Sequence, residues 1–297
     1  DVVLHPNFEE NQWVYVSYAK PVDDTSTTAI IRGRFENDRL TNIVEIFAAQ
    51  ATGFGHYGGK IAFDADGYLY LSLGDRQAPS RGDLSAHPAQ DTTNHQGVIV
   101  RLNEDGSVPD DNPFVGQSGY LPEIWSYGHR SPQGLAVHPV TGDLWETEHG
   151  PQGGDELNRI EPGNNYGWPV IGYGVNYGSS GSPIHEGIGR EGMTAPTQVW
   201  VPSIAASGLM IYTGDKFPMW YGSIFSGALA GEQLARLHMS EYYREVIVEE
   251  TLAYNMGRIR DVRQGPDGYI YLAISDGNGG GRGDFETTSI VRLEPVD

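Results

Sequence analysis

The fold is decided by residues 61–75, IAFDADGYLYLSLGD, which read as a short apolar strand, a turn and an alternating strand. An Asp-Gly pair between apolar runs predicts a β-hairpin, because glycine adopts the positive φ that a tight turn requires. The pattern returns closely at residues 262–276 and 135–148, and more loosely at residues 2–17. A hairpin that repeats with variable connections is typical of β-propeller blades. We therefore favour a propeller over a β-sandwich built from hairpins.

The composition agrees with a turn-rich, all-β chain. Of the 297 residues, 40 are Gly and 18 are Pro, which break helices and form turns, and only 20% are charged. Strand-like runs at residues 30–35, 98–102 and 289–293 fit outer strands of the same sheets. No linker rich in Pro or Ser divides the chain, so we predict a single β-propeller domain over residues 1–297.

The net charge of −20 opposes binding to nucleic acid, since carboxylates repel phosphate groups. The absence of cysteine excludes disulfides, thiolate catalysis and iron–sulfur clusters. No apolar run approaches the ~20 residues of a transmembrane helix, so we expect no membrane span. Residue 1 leads directly into the strand-like Val2–Leu4. We expect the N-terminal part of the first blade, with any export signal, to lie upstream.

Two candidate residues come directly before predicted inner strands, where propellers carry functional loops. His56 lies among glycines, and imidazole is the side chain best suited to take a proton near neutral pH. Arg130 precedes the hairpin at residues 135–148, and its guanidinium can bind a carboxylate or a quinone oxygen. A loop histidine that only bonds the backbone is the alternative for His56. We interpret His129 as a packing residue.

Two further segments indicate a cation site and an anion site. Residues 146–158 combine carboxylates with Gly and Pro, and Ca²⁺ prefers about six to eight oxygen ligands, including backbone carbonyls. Arg258 and Arg260 are predicted to share one face of a strand, because side chains alternate with period two. Two neighbouring arginines suit a ligand with several carboxylates. A solvated acidic loop and local salt bridges are the respective alternatives.

These segments belong to a longer set of motifs through which the chain resembles the soluble quinoprotein glucose/sorbosone dehydrogenases, most closely their aldose sugar dehydrogenase branch. Each motif alone is weak evidence, but their order and spacing over nearly the whole chain make the resemblance specific. The motifs are HYGGK (56–60), LNEDGSVP (102–109), DNPF (111–114), GHRSPQG (128–134), HGP (149–151), DELN (155–158), NYGWP (165–169) and RIRDV (258–262).

The resemblance implies a six-bladed β-propeller, with the first blade incomplete in this chain, that binds pyrroloquinoline quinone (PQQ) and Ca²⁺. It makes His56 the general base that takes the proton of the sugar C1 hydroxyl, while hydride passes to C5 of PQQ and the lactone is formed. Arg130 is expected to stabilise negative charge that develops on the quinone oxygens.

The cofactor-binding residues follow from the same resemblance. Arg258, Arg260 and Asp276, together with Arg130, are expected to bind PQQ, and Trp200 is expected to cover the pocket. The family also has a cofactor-side glutamine, which has no counterpart in this chain.

The metal ligands are likewise implied only by the resemblance. The backbone carbonyls of Gly150 and Pro151 are expected to bind the Ca²⁺ that contacts the cofactor and acts on it as a Lewis acid. Glu156 and the carbonyl of Tyr166 resemble ligands of a second, structural Ca²⁺.

The expected partners are an aldose substrate and an external electron acceptor, and the expected assembly is a monomer or homodimer. The family loads its cofactor outside the cytoplasm, so the resemblance implies a periplasmic or secreted protein. Ala230 stands where the glucose-oxidising branch has a lysine that contacts the cofactor. This departure indicates the aldose branch, with a broad sugar preference.

Other functions stay open at this stage. A calcium-dependent sugar lactonase on a similar propeller would bind its metal through carboxylates, but it would have no use for Arg258 and Arg260. A non-catalytic propeller that binds a protein partner would be expected to lose His56, Arg130 and the arginine pair. A third alternative is a family member that is inactive because part of its first blade is absent.

Overall fold

The structure is a computed structural model that describes residues 1–275 and 288–296. The strands among these residues form five sheets, and in every sheet the hydrogen-bonded neighbours are consecutive in the chain. Backbone contacts divide the chain into two compact units. The first consists of Asp1–Pro132, Ile160–Gly172 and Ile184–Ala195, and the second of Gln133–Arg159, Tyr173–Pro183 and Pro196–Asp297.

The first unit contains two four-stranded sheets. Its hydrophobic core is formed by buried apolar side chains such as those of Tyr15, Ile30, Leu71 and Val100. It also has a short helix α1 (Phe8–Asn11) and two 3₁₀ turns, Leu84–Ala86 and Pro88–Gln90. The strands of the first sheet are β1 (Val2–Leu4), β2 (Trp13–Val22), β3 (Thr25–Glu36) and β4 (Arg39–Ala48), and those of the second are β5 (Ile61–Phe63), β6 (Leu69–Leu73), β7 (Val98–Leu102) and β8 (Ile124–Tyr127).

The β5–β6 hairpin forms for the reason that its sequence indicates. Gly67 has a φ of +85°, which the turn requires and which L side chains rarely adopt. The Asp64 carboxylate accepts hydrogen bonds from the backbone N–H groups of Asp66 and Tyr68, at 3.0 and 2.9 Å. Every residue of β6 is buried, so this strand is packed against other residues on both of its faces.

The second unit contains three sheets, and its described strands bury apolar side chains in two clusters. A 3₁₀ turn, Pro218–Trp220, lies in the connection between two strands of its middle sheet. The strands are β9 (Pro132–Val137), β10 (Leu144–Glu148), β11 (Asp155–Ile160) and β12 (Gln198–Trp200); β13 (Ala206–Ile211), β14 (Ile224–Ala228), β15 (Leu234–Met239) and β16 (Val246–Leu252); and β17 (Arg258–Gln264), β18 (Ile270–Ser275) and β19 (Thr288–Leu293).

The prediction of an all-β protein built from β-propeller blades is confirmed, but the predicted number of six blades is wrong for the described residues, which form five sheets. The number six came from the family resemblance, whereas the four hairpins found in the sequence each supply the first two strands of one sheet. The fifth sheet begins with β13 and β14, which lack the Asp-Gly turn.

The first sheet, at residues 2–48, has four strands, where the sequence predicted an incomplete first blade. The single domain and the upstream segment stay predictions. Within the described part of the chain, no helix has the length and apolar character needed to cross a bilayer.

Candidate functional site

In the first unit, Asp75 holds the predicted base His56. Asp75 directly follows β6, and its side chain is only 1% exposed. Its Oδ1 atom lies 2.6 Å from Nδ1 of His56 and accepts a second hydrogen bond from the backbone N–H of Gln77 at 2.9 Å. Its Oδ2 atom accepts a hydrogen bond from the indole Nε1 of Trp168 at 2.7 Å. Because a carboxylate only accepts, His56 donates through Nδ1, and this leaves Nε2 as the basic atom.

The end of β6 also brings the backbones of His56 and Arg130 together. The Asp75 N–H donates to the Arg130 carbonyl oxygen at 2.8 Å. A Cβ at Gly74 would lie 2.2 Å from the His56 carbonyl oxygen and 3.0 Å from that of Arg130, so only glycine leaves room for both. The two predicted catalytic residues are therefore anchored at one strand end.

Arg130 and its neighbour His129 have different surroundings. Arg130 is 8% exposed, and its guanidinium carbon lies 5.2 Å from the centroid of the Trp168 ring, a cation–π distance. His129 is fully buried, stacks on Tyr166 at 4.8 Å and contacts the Ser126 hydroxyl through Nε2 at 2.9 Å. This geometry agrees with a packing role for His129.

Arg76 contacts the loop that carries His56. Its guanidinium donates to the Thr28 hydroxyl at 2.6 Å and to the His56 carbonyl oxygen at 3.4 Å, and it lies over the Tyr57 ring at 4.5 Å. Burial lowers the pKa of Arg76 to about 10. The residue places one buried positive charge next to the loop that carries the base.

In the second unit, Arg258 and Arg260 both lie beside Ser275, the last residue of β18. Arg258 is its cross-strand partner, and Nε of Arg260 donates to its hydroxyl at 2.9 Å. A β-bulge shifts the register between Ile259 and Asp261, so the simple alternation assumed from the sequence is interrupted at Arg260. Asp276, the next predicted cofactor residue, lies outside the described residues.

The electrostatics of this arginine pair favour an anionic ligand. Burial, and then the positive charge of Arg258, lower the pKa of Arg260. Nε of Arg258 is buried and makes no hydrogen bond with any described residue. A carboxylate bound here would provide the acceptor that this atom lacks and would offset the repulsion between the two cations.

Glu156, a predicted metal ligand, belongs to a cluster of carboxylates in the second unit. The side-chain amide of Asn158 donates to Glu146, Glu148 and Glu156 at 3.2, 3.4 and 3.3 Å. Burial, and then the negative charge of Glu148, raise the pKa of Glu146 and of Glu156 well above the usual range. Among the described residues, Oε1 of Glu146 and Oδ1 of Asn158 are buried without a hydrogen-bond partner. We define this set as the Asn158 cluster.

Gly150 and Pro151 follow β10 in a tightly folded loop and are both buried. The Gly150 N–H donates to Oδ1 of Asp155 at 3.1 Å, and a Cβ at Gly150 would lie 2.3 Å from the carbonyl oxygens of Gly153 and Gly154. Position 150 therefore requires glycine, because the neighbouring backbone leaves no room for a side chain. The binding of a metal by the carbonyls of Gly150 and Pro151 stays a prediction.

Two other predicted residues have mainly packing contacts in the structure. Trp200 is 5% exposed, lies in a hydrophobic cluster and donates from Nε1 to Glu249 at 2.9 Å, so its role as a cofactor cover stays a prediction. Tyr166 belongs to the first unit, is 4% exposed and accepts a hydrogen bond from the Glu161 N–H through its hydroxyl at 2.9 Å. The metal role of its carbonyl is also untested.

The sequence patterns did not identify Asp75 as the partner of His56 and assigned no role to Trp168. The available signal for Asp75 was a carboxylate placed directly after an inner strand, in Leu73-Gly74-Asp75. Trp168 had no such signal, because it lies 93 residues further along the chain from its partner Asp75.

Comparison with known proteins gives consistent matches over the chain. The family model described as Glucose / Sorbosone dehydrogenase matches residues 1–282. The chain is 40% identical over 287 residues to the aldose sugar dehydrogenase YliI of Escherichia coli (strain K12), which covers 94% of this chain and 74% of the relative.

Solved structures show the same similarity. A crystal structure of a glucose dehydrogenase is 43% identical, with a TM-score of 0.88 and coverage of 99% of this chain and 82% of the other. The PQQ-bound form of an aldose sugar dehydrogenase from Streptomyces coelicolor is 28% identical, with a TM-score of 0.75 and coverage of 99% and 78%.

Proposed function

The chain belongs to the glucose/sorbosone dehydrogenase family, and we propose that it oxidises aldose sugars at C1 to the lactone with PQQ and Ca²⁺. The observation that carries this proposal is the pair formed by His56 and the buried Asp75, whose 2.6 Å contact leaves one imidazole nitrogen as a base. The similarity to a PQQ-bound aldose sugar dehydrogenase supports the choice of cofactor.

His56 performs the proton transfer in this proposal. Its Nε2 atom accepts the proton of the C1 hydroxyl, and Asp75 stabilises the imidazolium that results. The side chain of His56 is 16% exposed, so it is accessible to a substrate while its orientation is fixed by Asp75. PQQ, when bound, supplies the carbonyl that accepts the hydride from C1.

In this proposal, arginines bind the carboxylates of PQQ. Among the described residues, Nε of Arg258 has no hydrogen-bond partner, and this atom and the mutual repulsion of Arg258 and Arg260 suit a ligand that carries carboxylates, as PQQ does. The guanidinium of Arg130 lies over the ring of Trp168, which binds Asp75, and its positive charge is suited to stabilise negative charge formed during the reaction.

The Asn158 cluster fits a hard cation such as Ca²⁺. Its potential ligands are all oxygens, three carboxylates and one amide carbonyl, and Oδ1 of Asn158 makes no hydrogen bond among the described residues. The raised pKa values of Glu146 and Glu156 reflect the cost of burying their negative charges, which a bound cation would offset.

The function is tested by mixing the metal-free protein with PQQ, Ca²⁺ and glucose or another aldose, and by following the reduction of an artificial electron dye. We expect dye reduction that requires both the cofactor and the metal. A protein that binds PQQ but reduces no dye with any aldose would contradict the proposed substrate. A protein that does not bind PQQ would favour the lactonase or binding-module alternatives.

Calcium should stabilise the protein through the Asn158 cluster. Ca²⁺ at 100 times its Kd contributes about 2.7 kcal/mol, which for a chain of this size corresponds to a rise of roughly 4 °C in Tm. Glu156→Gln should raise the Tm of the chelated protein, because it removes a buried charge, and should largely abolish the rise with Ca²⁺. Differential scanning calorimetry with and without chelator measures both effects.

The matched control for this prediction is Glu241→Gln, which changes an exposed glutamate of the second unit. It should leave the Ca²⁺-dependent rise in Tm unchanged. An equal rise in Glu156→Gln and in the unsubstituted protein would exclude Glu156 as a ligand.

A further inference from the structure

Trp168 contacts the two groups that act in the proposed reaction. Its indole is 7% exposed, and Nε1 donates to Oδ2 of Asp75 at 2.7 Å. The face of the same ring lies 5.2 Å from the guanidinium carbon of Arg130. One side chain thus touches both the carboxylate that holds His56 and the cation that is anchored beside it.

The indole is itself fixed by its neighbours. The His185 ring meets it edge-on at 5.5 Å, and Nδ1 of His185 lies 2.8 Å from the Pro169 carbonyl oxygen. A Cβ at Gly172 would lie 2.5 Å from the His185 ring, so the imidazole occupies the space left by this glycine. The ring of His87 also contacts the indole edge-on, at 6.2 Å. Such packing restricts the rotation of the Trp168 side chain.

We infer that Trp168 is a positioning residue for the base: its N–H binds one carboxylate oxygen of Asp75 and thereby directs the other oxygen to Nδ1 of His56. This inference rests on the proposed function only in taking His56 as the base. The contact with Arg130 adds a second constraint, because displacement of the indole would move both groups.

The inference predicts a pH effect with a definite sign. The indole N–H withdraws negative charge from Asp75, so its removal leaves a stronger acceptor opposite His56 and favours the protonated imidazole. The other groups that face this pair remain unchanged in such a variant. They are the cations Arg76 and Arg130 and the two histidines that pack on the indole, His87 and His185.

Trp168→Phe tests the inference because it keeps an aromatic face for Arg130 but removes the N–H. We expect kcat for aldose oxidation to fall about 10-fold, since a hydrogen bond to a charged group is worth at least that factor. KM for the sugar should change little. The acid limb of the kcat/KM profile should move to higher pH.

Trp125→Phe is the matched control. Trp125 belongs to the same unit and also lies under an arginine, Arg101, at 4.7 Å, but among the described residues its Nε1 has no hydrogen-bond partner. This variant should keep the pH profile of the unsubstituted protein. The same shift of the acid limb in both variants would overturn the inference.

A second measurement is independent of activity and of the cofactor. In NMR spectra of the protein without PQQ, the His56 ring signals, assigned by their absence in His56→Gln, should titrate at higher pH in Trp168→Phe. In the unsubstituted protein the indole N–H signal of Trp168 should shift over the same pH range as His56, which requires no folded Trp168 variant. An indole N–H signal that does not shift over the pH range of the His56 titration would overturn the inference. Failure of dye reduction in the unsubstituted protein would contradict only the proposed function.

Discussion

His56→Ala should lower kcat for aldose oxidation by about 10²–10⁴-fold, the usual contribution of a general base. The loss is expected because no other described side chain is held against Asp75 in the position of the imidazole. Stopped-flow measurement of dye reduction at saturating sugar gives the effect on kcat directly. PQQ binding and Tm should remain close to those of the unsubstituted protein.

The control for this prediction is His238→Ala, which removes an exposed histidine of β15. It should retain full activity. Added imidazole should partly restore the activity of His56→Ala, because a free base can enter the space that the side chain leaves. A His56→Ala variant with unchanged kcat would show that the base lies elsewhere.

Substitution of both Arg258 and Arg260 by alanine should weaken PQQ binding by about 10²–10⁴-fold, since each charged hydrogen bond contributes about 1.5–3 kcal/mol. The single variants should lose less. Isothermal titration of the Ca²⁺-loaded protein with PQQ measures the affinity without any turnover.

Arg263→Ala offers a control on the same strand. Arg263 is 45% exposed and pairs with Asp261 at 3.0 Å, away from Ser275. Its removal should leave the affinity for PQQ nearly unchanged. Equal losses from Arg263→Ala and from the double variant would mean that general positive charge, and not the pair beside Ser275, attracts the cofactor.

The sequence predicted those parts of the fold that depend on local chemistry. Positive φ at Gly67, Gly142 and Gly268 confirms the tight turns of three repeated hairpins. The hairpin of β13 and β14 was missed because residues 212–223, with a 3₁₀ turn, connect its strands and give no tight-turn signal. The blade number was wrong because it was taken from the resemblance and not from the hairpins.

The candidate site was predictable where a residue type alone suggests its chemistry, as for His56 and the arginine pair. Its supporting contacts were not predictable, since they join positions far apart in sequence. Asp75 and Trp168 are far apart in sequence and come into contact only when the chain folds. The β-bulge near Arg260 cannot be recognised from the alternation of polar and apolar residues in the sequence. These are tertiary effects that period-two patterns do not contain.

The meander order of the strands has a consequence for how the site is assembled during synthesis. Because each sheet pairs only strands that are consecutive in the chain, it can form as soon as its own segment has been made. The imidazole and its carboxylate partner are then available together early, and the Arg130 backbone joins them when residues 128–132 follow. The indole donor arrives last, 93 residues after the carboxylate that it binds. Nascent chains that stop before Trp168 would carry the base without the group that we infer to orient it.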